Sequence, residues 1–102
     1  NARMSFWYKS RMISGDVLDI GLGGMMTAIE GGVNPELFTF GEEINDIKIR
    51  ISDKELKING TIRSKRGNMV SIEFVNIDEQ NSDALSQYVF ERISSDASLQ
   101  QI

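Results

Sequence analysis

The stretch DIKIRISDKELKINGTIR (Asp46–Arg63) decides the fold, because two alternating runs flank a short polar turn. Isoleucine occupies every second position of Asp46–Ile51, so one face of this segment is apolar and the other is charged. Ser52–Lys54 supplies the turn, and the alternation resumes at Leu56. This pattern is typical of an antiparallel β-hairpin that packs one face on a core.

Similar short runs on both sides of this hairpin predict a meander of strands. We expect strands at Met4–Ser10, Asp16–Ile20, Met25–Ile29, Asp46–Ile51, Leu56–Arg63 and Met69–Phe74. A tight turn at Ser14–Asp16 joins the first two, and a turn at Arg66–Asn68 joins the last two. Six strands at this spacing predict an all-β, antiparallel fold that closes into a barrel or a sandwich.

Strand alternation also predicts which side chains face the core. Phe6 and Tyr8 share one face of the first strand, and Trp7 lies on the other. We expect Trp7 to be a half-buried part of the barrel wall, with a stacking platform or an interface anchor as the alternative. One of Met25 and Met26 should face the core and the other should face outward.

The apolar period changes from two to three or four near the C-terminus, which predicts a closing helix. Ser82 is the candidate N-cap, and the helix is predicted over Asp83–Ile93. The residues that follow are polar and short-sided, so we expect them to fray. The predicted domain covers residues 1–95, and residues 96–102 form a flexible tail.

Composition limits the classes of function. The 102 residues, 40% hydrophobic and 25% charged, fit one globular domain. The net charge of −4 argues against binding DNA or RNA over a broad face. The chain has no histidine and no cysteine, which excludes Ser–His and Cys–His catalysis and the commonest transition-metal sites.

No apolar run approaches the roughly 20 residues that cross a bilayer, and no secretion signal opens the chain. We therefore expect no transmembrane segment in this chain. The first residue is Asn1 rather than Met, so we expect a fragment whose upstream residues carry part of the function.

The stretch DIGLGGM (Asp19–Met25) is the most unusual part of the sequence, because three glycines within five residues follow an acidic side chain. Glycines expose backbone N–H and C=O groups and allow a planar or phosphorylated ligand to approach the chain. The Asp19 carboxylate can accept hydrogen bonds from a guanine-like N–H edge. The alternative is a glycine-rich bend that binds no ligand.

The segment Asp19–Gly24 resembles the second signature of PilZ domains, which is Asp or Asn, any residue, Ser, two residues, then Gly. Phe40–Glu42, Gly60–Arg63 and Met69–Ile77 resemble later segments of the same family, in the same order. The resemblance covers roughly residues 4–93. It implies a six-stranded antiparallel PilZ-type β-barrel with a C-terminal helix.

PilZ domains are bacterial receptors for cyclic di-GMP, without catalytic activity, in proteins that control motility, surface attachment or exopolysaccharide output. The resemblance implies cyclic di-GMP as the ligand, no cofactor, and a cytoplasmic location. It assigns Asp19, Gly21 and Gly24 to ligand binding, with Gly21 standing where the family has serine. It also implies a protein partner or other domains of a longer chain.

Family members grip phosphates with an Arg-x-x-x-Arg segment before the first strand, and this segment does not appear in the sequence. Trp7 stands four residues after Arg3, so Arg3 is the trailing arginine only if its partner precedes Asn1. Otherwise the arginine segment lies wholly upstream, or the protein never had it. Arg3 is the fourth candidate ligand-binding residue.

Three functions follow as hypotheses. The first is a cyclic di-GMP receptor, and the second is a degenerate PilZ domain that binds no nucleotide and acts as a protein-interaction or oligomerisation module. An exposed apolar patch that includes Trp7 or Met26 would favour the second. The third is a carboxylate-based enzyme, which would need a cleft carboxylate with a raised pKa. We expect no enzyme, because the sequence shows no converging set of carboxylates.

Overall fold

Alternating apolar residues of six strands face one common core. The computed structural model describes residues 2–100. Its elements are β1 (Ala2–Tyr8), β2 (Arg11–Ile20), β3 (Gly24–Ile29), β4 (Glu43–Ile51), β5 (Lys54–Arg66), β6 (Met69–Val75) and the helix α1 (Glu79–Gln100), with a short 3-10 helix (Pro35–Leu37) between β3 and β4. The predicted all-β fold with a C-terminal helix is confirmed.

The strands form a closed antiparallel barrel in the order β1-β2-β3-β6-β5-β4, so the sandwich alternative is excluded. One end, called here the glycine end, carries the β2–β3 turn (residues 21–23) and the β4–β5 turn (residues 52–53). The other, called the loop end, carries the turns at residues 9–10 and 67–68 and the segment of residues 30–42. All strands run between these two ends.

The predicted turn at Ser14–Asp16 is wrong. The chain reverses at Lys9 and Ser10, and β2 runs unbroken through Gly15, which pairs with residues of both β1 and β3. A Cβ atom on Gly15 would lie 2.0 Å from the carbonyl oxygen of Ala28. This glycine therefore allows two strands to approach closely, and it does not mark a turn.

The turn itself carries no glycine. Lys9 and Ser10 have φ values of 47° and 68°, as the two central residues of a type I′ hairpin require. Most hairpins place Asn or Gly at such positions, because other side chains crowd the backbone there. The sequence therefore lacks the usual signal for the turn that it forms.

Phe38 closes the loop end of the barrel. It is only 1% exposed, and its ring centroid lies 5.9 Å from that of Phe6 and 4.8 Å from that of Tyr8. Aromatic rings at these distances pack in tilted or edge-to-face geometry, which adds to the stability gained from burial. The connection between β3 and β4 is thus anchored to the core.

Polar contacts fix the same connection. The Tyr8 hydroxyl lies 2.9 Å from the Leu37 carbonyl oxygen and 2.8 Å from a Glu42 carboxylate oxygen. Burial of this phenol, together with its hydrogen bond to Glu42, raises the pKa of Tyr8 above its usual value. The Lys65 ammonium donates a hydrogen bond of 2.6 Å to the Phe38 carbonyl oxygen. The loop end is therefore a fixed surface.

The helix α1 begins earlier than the sequence predicts. The Asn81 N–H donates to the Asp78 carboxylate at 2.7 Å, so Asp78 supplies the cap and Ser82 lies inside the first turns. The prediction of a Ser82 cap is wrong, because the chain has an equally good capping side chain four residues earlier.

The helix packs on the glycine end through Leu85, which is fully buried, and the Asn81 amide donates to the Lys57 carbonyl oxygen at 2.9 Å. It continues to Gln100, so residues 94–100 are helical rather than frayed, whereas Gln101 and Ile102 lie outside the described residues. The division into a domain of residues 1–95 and a tail stays a prediction. Within residues 2–100, no helix is long and apolar enough to span a membrane.

Two neighbouring phenylalanines of the loop end give opposite predictions for stability. Phe38→Ala should lower the free energy of unfolding by about 3–5 kcal/mol, because it leaves a cavity in the core. Phe40 is 65% exposed, so Phe40→Ala should change that free energy by less than about 0.5 kcal/mol. Urea denaturation of both variants measures the difference. Equal losses would contradict the assignment of Phe38 as the residue that closes the barrel.

Candidate functional site

A β-bulge in β2 determines where the Asp19 side chain points. Val17 pairs with Thr27 and Asp19 pairs with Met26, so one additional residue is accommodated between these two pairs. Without it, strand alternation would place Asp19 inward with Val17. With it, Ile20 enters the core and the Asp19 carboxylate faces solvent. The sequence gives no sign of this bulge.

Asp19 is exposed and makes no hydrogen bond or ion pair with any of the described residues. Its carboxylate therefore keeps its full capacity to accept hydrogen bonds. Leu18 and Leu22, which lie on either side of it in sequence, are 52% and 57% exposed. An uncommitted acceptor and two exposed apolar side chains therefore belong to the same short segment.

The glycines of the β2–β3 turn fall into two groups. A Cβ atom on Gly21 or Gly23 would meet no atom within 4 Å, so these two positions are open to solvent. A Cβ atom on Gly24 would lie 2.4 Å from the Ile72 carbonyl oxygen. Gly24 is therefore required by the close approach of β6, whether or not a ligand binds beside it.

Backbone hydrogen bonds hold this turn in place. The Gly21 N–H donates to the Gly24 carbonyl oxygen at 2.9 Å, and the Phe74 N–H donates to the Gly23 carbonyl oxygen at 2.8 Å. On the adjacent strand, Glu73 pairs with Gly24 and accepts a 2.7 Å hydrogen bond from Arg63. The turn is thus attached to β6, with a charged pair beside it.

Arg3 lies on the outer face of the barrel and is occupied by other groups. Its guanidinium donates to Asp16 at 2.9 Å and to Glu30 at 2.7 Å. The hydrogen bond from Arg3 is the main cause that lowers the pKa of Glu30 from 4.5 to about 2, and a hydrogen bond from Ser14 adds to it. None of the described contacts joins Arg3 to Asp19.

The structure brings three of the four predicted site residues together. Asp19, Gly21 and Gly24 belong to one hairpin, whereas Arg3 is held by Asp16 of β2 and by Glu30, which follows β3. Sequence reasoning missed Arg63 as a neighbour of this hairpin. Its only signal in the sequence is the basic group Arg63, Lys65 and Arg66 beside Gly67, which could hold a small anion, with a solvated hairpin tip as the alternative for Lys65 and Arg66.

Lys65, from the same group, is not a solvated side chain, unlike Arg63, whose side chain is 49% exposed. Lys65 is only 19% exposed and bonds to the backbone of the loop end. The alternation of the two methionines is confirmed, because Met25 is buried and Met26 is partly exposed. Trp7 differs from the expected half-buried wall position, since it is 66% exposed on the outer face.

The described residues contain no group of three or more acidic side chains placed to hold a metal ion. Among the described residues, Glu30 is the carboxylate whose pKa departs clearly from its usual value, and this pKa is lowered. A general acid needs the opposite displacement. These features give no support to a carboxylate-based enzyme.

A closed six-stranded antiparallel barrel, with a helix on one end and an exposed glycine-rich turn, defines the structural class of the chain. The family model described as the PilZ domain matches residues 8–91. The chain therefore belongs to the PilZ domain family. No curated protein matches the sequence.

Solved structures share the fold. The PilZ domain of YcgR from Escherichia coli with c-di-GMP has a TM-score of 0.80 at 13% identity, covering 99% of this chain and 88% of that one. K. pneumonia MrkH in its apo state gives 0.81 at 11% identity, covering 95% and 48%. YcgR from E. coli in complex with c-di-GMP gives 0.75 at 15% identity, covering 99% and 46%. The chain spans about half the length of the last two.

Two glycines of the turn should respond differently to a methyl group. Gly24→Ala should lower the free energy of unfolding by about 1–3 kcal/mol, because the added carbon overlaps backbone of β6. Gly23→Ala is the matched control and should be nearly neutral, since the space beside it is open. Thermal unfolding followed by circular dichroism distinguishes the two. A neutral Gly24→Ala would contradict the close approach of β3 and β6.

The ion pair between Glu30 and Arg3 should make the stability of the fold depend on pH in the acid range. Because the folded-state pKa of Glu30 is depressed to about 2, its contribution is complete above pH 4.5 and is lost as the pH falls towards 2. Glu30→Gln should therefore lose less stability than the native protein across this interval. Glu55→Gln, which removes another exposed carboxylate, should follow the native protein. Identical acid profiles for the native and Glu30→Gln proteins would contradict the pair.

Proposed function

We propose that the chain is a cyclic di-GMP-binding module of a bacterial signalling protein, and that the β2–β3 hairpin is its ligand site. The observation that carries this proposal is the outward Asp19 carboxylate, which the bulge places beside an open glycine turn. Membership of the PilZ family supports the choice of ligand. The family's Asp and Gly positions correspond here to Asp19 and Gly24.

The chemistry of the hairpin suits a guanine base. The N1–H and amino group of guanine form a pair of donors that one carboxylate accepts, and Asp19 has no competing partner among the described residues. Gly21 and Gly23 leave room for the ring to lie close to the backbone. Leu18 and Leu22 offer apolar contact to the faces of the base.

Arg3 is the proposed phosphate contact from β1. To reach a ligand it exchanges Asp16 and Glu30 for phosphate oxygens, so its contribution to affinity is reduced by the loss of those hydrogen bonds. Arginines that precede Asn1, where the gene encodes them, would bind phosphate without this competition. Ala2 pairs with Val17, so a chain that enters β1 passes close to the bulge and Asp19.

The proposed setting is the bacterial cytoplasm, in a protein that controls motility, surface attachment or exopolysaccharide output and requires no cofactor. In this setting the module has no catalytic role and binds neither DNA nor RNA. Binding at the hairpin would reposition the segment before β1 or a partner surface, including other domains of a longer chain.

A second candidate function is a PilZ domain that binds no nucleotide and acts as an interaction module. The exposed pair of Trp7 and Met12, which face each other across β1 and β2, favours it. The substitution of glycine for the family's serine at Gly21 also favours it, since one hydroxyl hydrogen bond is lost.

Calorimetric titration with cyclic di-GMP tests the proposed site. Asp19→Ala should weaken binding at least about tenfold, because a charged acceptor is removed from the base. Asp53→Ala removes an exposed aspartate from the β4–β5 turn, across the barrel from the site, and should leave the affinity unchanged. Arg3→Ala should weaken binding less than Asp19→Ala does. Equal affinities for the native protein and a folded Asp19→Ala variant would exclude the assigned site.

The same titration distinguishes receptor from interaction module. It is made with this chain and, where the gene encodes residues before Asn1, with the longer chain. Binding by the longer chain alone would place the phosphate-binding arginines upstream. Absence of binding by both folded proteins would contradict the receptor and leave the interaction module.

Gly21→Ser restores the family's hydroxyl at a position with free space. We expect it to strengthen cyclic di-GMP binding about two- to tenfold, in line with one added hydrogen bond. Gly23→Ser, two residues away and equally open, is the control and should have no such effect. A weaker affinity of Gly21→Ser would show that the base does not approach this backbone position as proposed.

A further inference from the structure

Exposed apolar side chains gather at the loop end, away from the proposed nucleotide site. Five large apolar residues of this end are at least one third exposed: Trp7 (66%), Phe40 (65%), Leu37 (47%), Met12 (46%) and Met69 (37%). They come from the β1–β2 hairpin, the β3–β4 connection and the start of β6. We call these five residues the apolar rim.

The apolar rim cannot turn inward. Phe38 already fills the barrel opening, and Tyr8 and Lys65 hold the backbone of Leu37 and Phe38 by hydrogen bonds. The exposure of Leu37 and Phe40 is therefore built into the folded protein. An exposed group of this kind marks a surface that contacts another structure.

Cations lie beside the rim. Lys9 lies in the β1–β2 turn, Arg11 follows it, and Arg66 precedes the β5–β6 turn; all three are exposed. Glu42 accepts hydrogen bonds from Tyr8 and from the Thr39 N–H, which are neutral donors, so this carboxylate keeps its negative charge. Glu36 lies 3.6 Å from the Lys65 ammonium and Glu30 is paired with Arg3. Among the described residues of this end, the three exposed cations therefore stand against the negative charges of Glu42 and Glu43, which leaves a small positive excess.

The acidic groups that give the chain its negative charge lie elsewhere. Asp78, Glu79, Asp83 and Glu91 belong to the start and body of α1 at the glycine end. The strands that separate the two ends contain 6 to 13 residues, which is roughly 20–43 Å at about 3.3 Å per residue and exceeds the screening length of about 8–10 Å at physiological salt. An anionic surface that approaches the loop end therefore meets this small positive excess and is screened from the acids of α1.

We propose that the loop end docks on an anionic lipid bilayer, with the apolar rim in the interface and Lys9, Arg11 and Arg66 at the phosphate groups. The rim residues come from β1, β2, the β3–β4 connection and the first residue of β6, and exposed cations lie in or beside the adjacent turns. Apolar side chains with cations next to them suit an anionic bilayer, whose headgroup region takes up apolar groups and whose phosphates attract the cations. Tryptophan is favoured at such interfaces because it is apolar with one polar N–H. The cations add electrostatic attraction.

Vesicle binding tests this proposal, and Trp7 reports it directly, because it is the only tryptophan of the chain. Vesicles of phosphatidylcholine with phosphatidylglycerol should shift its fluorescence to shorter wavelength and co-sediment with the protein. Vesicles of phosphatidylcholine alone should bind more weakly. A double variant, Lys9→Gln with Arg11→Gln, should reduce the partition coefficient at least about tenfold, and raised salt should act in the same direction.

A matched pair of variants locates the surface. Phe40→Ser should weaken vesicle binding severalfold, whereas Phe90→Ser should not, although Phe90 on α1 is equally exposed at 68%. Both positions are exposed, so circular dichroism should show both variants folded. Failure of the folded native protein to bind anionic vesicles would overturn the proposal, as would equal effects of the two variants. A protein dimer that Phe40→Ser dissociates, with no vesicle binding, would assign the rim to a second copy instead.

Discussion

Closure of the barrel is the constraint from which the geometry of the site follows. Inward positions of all six strands must meet one core, so an added residue in a strand has to be absorbed by a bulge. β2, β4 and β5 each contain such an irregularity. In β2 the bulge keeps Ile20 in the core and turns Asp19 outward. The packing of an isoleucine thus determines the direction of the carboxylate on which the proposed ligand depends.

The two ends of the barrel expose different chemical groups to solvent. At the glycine end, α1 covers the core through Leu85, and the β2–β3 turn leaves an acceptor and open backbone. At the loop end, Phe38 covers the core, and apolar and cationic side chains remain outside. Strand β1 connects the two, with Arg3 towards one end and Trp7 towards the other. Both surfaces are therefore held by the same rigid frame.

The strands and their alternation were predictable from the sequence, because a period-two pattern such as that of Asp46–Ile51 arises when alternate side chains of a strand face a core. The turn at Lys9 and Ser10 was not predictable, since it lacks glycine. Gly15 suggested a turn, but it instead allows two strands to approach closely. The outward direction of Asp19 depends on a register shift between strands, and the ion pairs of Arg3 depend on residues distant in sequence. Neither follows from local pattern.

Binding of cyclic di-GMP by the β2–β3 hairpin is the proposal on which the functional conclusion depends. Two-dimensional NMR of ¹⁵N-labelled protein, titrated with the nucleotide, tests it most directly because each backbone amide reports its own surroundings. We expect the largest shifts at residues 18–24 and at the neighbouring Glu73 and Phe74, with small shifts at the loop end. Saturable binding whose largest shifts lie at the loop end or along α1 would contradict it.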